Sequence, residues 1–198
     1  MSSPIRTLNL NEYRTNSRSF VRAVKHSLTT TGFFLLENHG IPESLLLEST
    51  RLFGIFFNDL SQKERLAYAR PEIFYQQGYT PPGMETGEYA QVADGKHFFQ
   101  FGDPATRGML AVEEIPELKG VCEDFYGAFC LLYKELMQVV ALTLRLDLDY
   151  FDNQLGNSIV RQIHYPAQPN PTTDDEAVAV QGGNVVGMCA SSTQISTT

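Results

Sequence analysis

The stretch Arg161-Gln-Ile-His-Tyr-Pro-Ala-Gln-Pro169 ends a predicted strand in Tyr-Pro and continues into a loop punctuated by prolines. The segment from Ser158 to Tyr165 alternates two kinds of side chain. One set is Ile159, Arg161, Ile163 and Tyr165, and the other is Val160, Gln162 and His164. Because successive side chains of a strand point to opposite faces, this alternation predicts a strand with two unlike faces.

Two other parts of the chain carry distinctive motifs. Near the start, Thr31-Gly-Phe-Phe-Leu-Leu-Glu-Asn-His-Gly-Ile-Pro42 joins a short apolar run, typical of a buried strand, to an Asn-His-Gly turn. In the middle, Gly78-Tyr-Thr-Pro-Pro-Gly-Met-Glu85 precedes Asp94-Gly-Lys-His-Phe-Phe-Gln-Phe-Gly102. These middle segments have no sustained period, so we expect an ordered irregular connection with a strand at residues 98–101.

Together these segments resemble the isopenicillin N synthase-like family of non-haem Fe(II) and 2-oxoglutarate-dependent oxygenases. The likeness runs over residues 5–190, and the Asn-His-Gly segment is its most specific part. One departure is His97, which stands where the family pattern has Glu. The resemblance implies an α+β fold. A helical N-terminal region and a long helix would pack on the start of a double-stranded β-helix, or jelly roll, that is incomplete here.

The family's reaction implies Fe(II) held by two histidines and one carboxylate, with positions left open for 2-oxoglutarate and oxygen. In the family a His-x-Asp follows the Tyr-Pro, and a distal His and an Arg-x-Ser come later. The chain has four histidines, and none has His-x-Asp spacing: His26, His39, His97 and His164. We therefore expect no catalytic residue and no metal ligand in this chain, and no productive binding of Fe(II) or 2-oxoglutarate.

Four residues are candidates for the remaining parts of such a site. Tyr165 matches the tyrosine that in many family members hydrogen-bonds a carboxylate of 2-oxoglutarate or of the substrate, and Arg161 shares its strand face. The resemblance puts His97 and Phe99 near the mouth of the active site, as substrate-pocket residues. The competing interpretations are a solvated Arg161 and a core position for His97. We expect His39 to brace its turn.

The remaining periodicity predicts helices. Residues 15–30 place Phe20, Val24 and Leu28 on one stripe, and residues 115–139 alternate apolar spacings of three and four over a long helix. Ser61-Gln-Lys-Glu64 has the spacing of a capping box. The expected organisation is an N-terminal region at 1–110, a long core helix at 111–147, the first jelly-roll strands and loop at 148–190, and an aberrant or disordered tail at 191–198.

Composition narrows the partners. The chain has 198 residues, 42% of them hydrophobic, and a formal net charge of −8, which indicates a globular domain and disfavours nucleic acid. Without a long apolar run or an apolar leader, we expect a cytoplasmic protein with no membrane association. Three cysteines without Cys-x-x-Cys spacing encode neither a disulfide framework nor a zinc site. The resemblance implies a small-molecule substrate. Exposed apolar surface would favour a partner protein or self-association.

The tail Ser192-Thr-Gln-Ile-Ser-Thr197 suggests an altered reading frame. Codons for the family-like peptide Lys-His-Thr-Asp-Ile-Asn, AAG CAC ACA GAT ATC AAC, give Ser-Thr-Gln-Ile-Ser-Thr when they are read one nucleotide late. A simple disordered terminus is the alternative. For function, the alternatives to an oxygenase sequence that is inactive alone are a non-catalytic binding module and a chain whose iron ligands come from a second chain.

Overall fold

The computed structural model describes residues 5–85, 95–152 and 158–166, and the backbone of residues 183–190. It mixes helices and sheets, as the α+β prediction required. Two compact units are present. The first comprises Met1–Leu45 and Gly127–Gly156, and the second comprises Leu46–Tyr126 and Asn157–Thr198. The predicted tail at 191–198 lies outside the described residues, and the four predicted regions stay predictions.

The first unit is built on two short parallel strands. Strand β1 (Arg6–Asn9) pairs with β2 (Phe34–Glu37), and helices α1 (Asn11–Thr15) and α2 (Ser17–Thr30) connect them. The side chain of Asn16 caps α2 by accepting a hydrogen bond from the Ser19 amide. A buried cluster fills the unit: Leu8, Leu10, Phe20, Val24 and Val139.

Two burial predictions for this unit are wrong. Leu28 was expected on the buried stripe of α2, but 42% of its surface is exposed because it lies beyond the stripe that Phe20 and Val24 occupy. The strand at residues 33–36 was expected to be buried throughout. Instead β2 is half-buried on one face only, and Phe33 and Leu35 are exposed. In a two-stranded sheet, one face packs on the helix and the other meets solvent.

Helices α3 (Glu43–Asn58) and α4 (Gln62–Ala67) follow. α3 buries a stripe at helical spacing: Ser49, Leu52, Phe53, Phe56 and Phe57. The predicted capping box is confirmed, since Ser61 accepts from the Glu64 amide while the Glu64 carboxylate accepts from the Ser61 amide. A short 3-10 turn at Pro71–Ile73 then leads towards the sheet.

The second unit holds an antiparallel sheet of four strands in the order β3-β4-β5-β6. Their bounds are β3 Gly78–Thr80, β4 His97–Gly102, β5 Ser158–Tyr165 and β6 Gly183–Ala190. The predicted β5 matches residue for residue. β6 begins at Gly183 and pairs along the full length of β5. Pairing of β4 with β5 sets Gln100 opposite Arg161 and His97 opposite His164.

After β4 come α5 (Pro104–Arg107) and the long helix α6 (Leu118–Leu144). α6 has 27 residues and confirms the predicted long helix, although it starts three residues after Ile115. Leu132 and Leu136 pack on the cluster of the first unit, whereas Leu131 is 76% exposed. By length and composition α6 would suffice to cross a membrane, but one such helix is weak evidence because core helices of soluble proteins often qualify. The expected lack of membrane association stays a prediction.

Candidate functional site

The sheet of the second unit separates two environments. Alternate residues of β4 point to opposite faces, so His97, Phe99 and Phe101 lie on one side and Phe98 and Gln100 on the other. All six residues of this strand are buried. The first side meets the aromatic stripe of α3, and the second side lines a cavity. The two sides therefore have different chemistry.

On the α3 side the contacts are aromatic and close. The Phe99 ring centroid lies 5.6 Å from that of Phe53 and 5.1 Å from that of Phe56, and Phe101 stacks on Phe53 at 6.4 Å. Such offset and edge contacts add to the area that the rings bury. Phe99, a predicted substrate-pocket residue, is thus part of a packed core and only 1% exposed.

A hydrogen-bonded chain of three side chains crosses the same side. The Tyr79 hydroxyl lies 2.9 Å from His97 Nδ1, and His97 Nε2 lies 2.6 Å from His164 Nδ1. With Tyr79 donating, His97 carries its proton on Nε2 and donates to His164. Burial, followed by the charges of His164 and Arg65, lowers the pKa of His97 to about 4.

The pKa of His164 is lowered as well, mainly by burial and then by the charge of Arg65. Both rings are therefore neutral at pH 7, and Phe57 stacks on His164 at 5.2 Å. The two neutral histidines and Tyr79 thus form a packed, hydrogen-bonded chain that links β3, β4 and β5. No described residue gives the two histidines a third metal-binding partner.

The opposite side of the sheet contains a cavity of about 250 Å³. Its apolar lining consists of Phe74, Tyr75, Met84, Phe98 and Ile159. Its polar lining consists of Gln76, Thr80, Glu85, Gln100, Arg107 and Arg161. Apolar walls with a few polar groups are typical of a small-molecule site.

Arg161 is fixed from three directions. Its Nε donates to Gln100 Oε1 at 3.0 Å, its Nη1 donates to Glu85 Oε2 at 3.2 Å, and its guanidinium lies 4.1 Å above the Phe98 ring. Lys96 Nζ also lies 3.4 Å from the Glu85 carboxylate. Gln100 in turn donates to the Tyr75 carbonyl at 2.6 Å. The positive charge of Arg161 is matched by Glu85, and its Nε and Nη1 donors are engaged.

The structure places the predicted site residues unevenly. Arg161 lines the cavity, whereas His97 and Phe99 lie on the α3 side and Tyr165, which was expected to share a pocket with Arg161, is outside the lining. Substrate contact by His97 and Phe99 and cofactor binding by Arg161 and Tyr165 stay predictions. The expected brace at His39 is confirmed, because its Nδ1 accepts from the Ile41 amide at 3.2 Å.

Sequence reasoning missed several lining residues, among them Phe74, Tyr75, Thr80 and Arg107. None belongs to a periodic pattern, and Phe74 and Tyr75 have the uncommon φ values of 53° and 56°. The sequence contains one signal for Arg107. A glycine at the end of a strand often marks a place where another part of the chain approaches closely, and the Arg107 side chain approaches Gly102 in this way.

The described residues do not fit an iron ion. Within residues 5–85, 95–152 and 158–166, no three His, Cys, Asp or Glu side chains come together as a metal site requires. His97 and His164, the one close histidine pair there, are hydrogen-bonded to each other. Nothing in the described cavity replaces the two histidines and the carboxylate that non-haem iron needs.

Comparison with known proteins identifies the family. The family model for the N-terminal region of the non-haem dioxygenase in morphine synthesis matches residues 4–118, more than half of the chain. Proline hydroxylase buaE of Petromyces alliaceus is 29% identical, over 80% of this chain and 53% of that protein. Gibberellin 20 oxidase 1 of Oryza sativa subsp. japonica is 31% identical, over 77% of this chain and 45% of that protein.

Solved structures agree. A 2OG-Fe(II) oxygenase family protein from Caulobacter crescentus superposes with a TM-score of 0.73 at 26% identity, over 86% of this chain and 59% of that chain. Full-length Neurospora crassa T7H with alpha-KG gives a TM-score of 0.70 at 23% identity, over 84% of this chain and 55% of that chain. The chain spans about half the length of the curated relatives it matches. Because the family model matches more than half of its residues, the chain belongs to the 2-oxoglutarate and Fe(II)-dependent oxygenase family.

Proposed function

We propose that this chain carries the substrate-binding side of an oxygenase that oxidises a small organic metabolite, and that the 198-residue chain is inactive by itself. The observation that carries the proposal is the cavity beside β4 and β5, which combines apolar walls with fixed polar groups. Curated relatives named as a proline hydroxylase and a gibberellin oxidase support a small metabolite as substrate.

The residues of this chain would bind and orient the metabolite. Phe98 and Ile159 offer apolar contact. Hydrogen bonds to Gln100 and Glu85 hold the Arg161 guanidinium in one position in the cavity wall. A pre-organised site of this kind lowers the entropy cost of positioning a substrate. Fe(II) and 2-oxoglutarate are the cofactors of the family, and the oxidising chemistry would be theirs.

Inactivity is proposed from the sequence. The chain's four histidines include none in His-x-Asp spacing, and no Arg-x-Ser follows Tyr165. We further propose that the tail from residue 192 is a shifted reading of the family's iron motif, with an incomplete jelly roll as its result. These proposals share one cause, a change in the coding sequence.

The coding sequence tests this directly. The gene and its transcript would be sequenced from the codon of Met188 onward and translated in all three frames. His-Thr-Asp, a later His and an Arg-x-Ser in a shifted frame are the expected result. If no frame contains them, the proposed origin of the tail is wrong and the binding-module alternative is favoured.

A non-catalytic interaction module is the second candidate, and exposed apolar side chains favour it. Phe33, Leu35 and Leu131 are each more than half exposed on the first unit. Surface of this kind favours self-association when it is contiguous. Light scattering after gel filtration would decide, since a concentration-dependent dimer that Leu131→Lys dissociates supports the module, and a monomer at all concentrations opposes it.

A further inference from the structure

We propose that the cavity beside β4 and β5 binds a monocarboxylate with an apolar or aromatic body, and that Arg107 holds its carboxylate. The cavity is the substrate site of the proposed function, so this inference deepens that function and rests on it. Two features of the lining carry it. One is an arginine whose guanidinium has no partner among the described residues, and the other is a buried hydroxyl that also has none there.

The charged side chains of the lining favour an anionic ligand. The lining contains two arginines and one glutamate, Arg107, Arg161 and Glu85. Glu85 lies 3.2 Å from Arg161, so those two charges match each other. The Arg107 guanidinium makes no hydrogen bond or ion pair with any residue that the structure describes. Within the lining, the positive charge of Arg107 is therefore left for a ligand, and a carboxylate accepts two parallel hydrogen bonds from a guanidinium.

The position of Arg107 is set by the backbone around it. An added Cβ on Gly102 would lie 2.8 Å from Arg107 Cδ, so the arginine stem rests directly on a residue that has no side chain. Asp103 caps α5 by accepting from the Ala105 amide at 2.9 Å, and the Arg107 amide donates to the Asp103 carbonyl at 2.9 Å. The stem is therefore held beside the cavity even though the guanidinium has no partner within residues 5–85, 95–152 and 158–166.

Thr80 supplies the second, independent feature. It is 2% exposed, it lines the cavity, and its Oγ1 has no hydrogen-bond partner among the described residues. Buried polar groups are almost always paired, so an unpaired hydroxyl in a cavity wall indicates a missing partner. Its backbone is fixed by pairing with Phe98. The Oγ1 atom itself has almost no accessible surface, so a ligand oxygen would satisfy this hydroxyl, which can donate or accept, once the side chain turns its Oγ1 towards the cavity.

The apolar walls, to which Phe74 and Tyr75 contribute, would contact the apolar or aromatic body of the ligand. Phe74 is 86% exposed, and it and Tyr75 are consecutive residues with left-handed φ values. Two hydrogen bonds hold this geometry, from the Phe74 amide to the Pro71 carbonyl at 3.0 Å and from the Tyr75 amide to the Arg70 carbonyl at 2.9 Å. Backbone strain of this sort persists where the surroundings enforce it, often at ligand sites.

Cavity size and charge favour a small ligand with one negative charge. About 250 Å³ is below the range of drug-sized sites and suits a single-ring molecule. A dicarboxylate would bring a second negative charge towards Glu85, with Arg161 already engaged by that residue. We therefore assign the cavity to a monocarboxylate, not to 2-oxoglutarate.

The test is calorimetric titration of the 198-residue chain with benzoate and with its uncharged isostere benzamide. We expect benzoate to bind at least tenfold more tightly than benzamide. Arg107→Gln should weaken benzoate binding about tenfold or more and leave benzamide unchanged, because a charge-assisted hydrogen bond contributes that much. Arg22→Gln, which removes an arginine of α2 in the first unit, is the matched charge control and should change neither.

Thr80→Val keeps the side-chain volume and should weaken benzoate binding a few-fold. Circular dichroism melting of each variant shows that the fold is retained. The proposal is overturned if benzoate does not bind at 10 mM, if Arg107→Gln leaves its affinity unchanged, or if 2-oxoglutarate binds more tightly than benzoate through Arg107. Because none of these outcomes needs turnover, a failure here is separate from failure of the proposed oxygenase origin.

Discussion

Acidification is expected to destabilise the second unit through the buried pair of His97 and His164. The folded chain holds the pKa of His97 at about 4, against an ordinary value of 6.5. An unfolded chain therefore takes up a proton on this residue at a pH where the folded chain resists it. The free energy of unfolding is unaffected above pH 6.5, falls as the pH drops from 6.5 to about 4, and levels off below that.

The magnitude follows from the size of the pKa shift. His97 is 5% exposed, and its pKa falls from 6.5 to about 4 on folding. Protonation of this residue therefore lowers the free energy of unfolding by an amount on the order of 3 kcal/mol. The pKa of His164 is lowered too, so it adds to the loss in the same direction. This is a large share of the stability of a small domain, which is typically about 5–15 kcal/mol.

Urea unfolding followed by far-ultraviolet circular dichroism, in steps from pH 7 to pH 4, measures this loss. His97→Phe removes the titrating ring and should flatten most of the slope between pH 6.5 and pH 4. His26→Gln is the matched control, because His26 lies exposed on α2, and it should leave the slope of the wild-type chain unchanged. Equal slopes for the wild type and His97→Phe would show that protonation of His97 does not destabilise the fold.

Three further predictions concern packing, capping and the cavity. Phe56→Ala should lower the free energy of unfolding by about 3–5 kcal/mol, since Phe56 is 0% exposed, while Leu131→Ala at a 76% exposed position should change it by less than about 0.5 kcal/mol in the same urea titration. Ser61→Ala removes one half of the capping box and should cost about 1 kcal/mol, and an unchanged urea midpoint would contradict this. Gly102→Ala places a Cβ 2.8 Å from Arg107 Cδ and should weaken benzoate binding several-fold, whereas unaltered affinity would count against the placement of Arg107.

The sequence predicted the elements that have a strong period. β5 was predicted over its full length and with its two faces, because period-two alternation is direct evidence of which side chains point together. α6 followed from its apolar spacing, and the box at Ser61 and Glu64 followed from local capping chemistry. In these cases the local signal and the tertiary structure agree.

The site was harder to predict because it depends on register and on irregular backbone. The resemblance marked the segment around β4 but gave no facing, and a shift of one residue exchanges His97 and Phe99 for Phe98 and Gln100. Arg107 comes from a four-residue helix, and Tyr75 from a left-handed turn. Neither residue belongs to a periodic sequence pattern. Their common position at one cavity could therefore not be predicted from the sequence.

Succinate release from 2-oxoglutarate by the purified 198-residue chain, with Fe(II), ascorbate and oxygen present, tests the proposed inactivity of the chain. We expect no release above the protein-free rate, with or without a bound carboxylate, because the chain's four histidines supply no His-x-Asp. Succinate release that rises with protein concentration and stops when a chelator removes Fe(II) would contradict it.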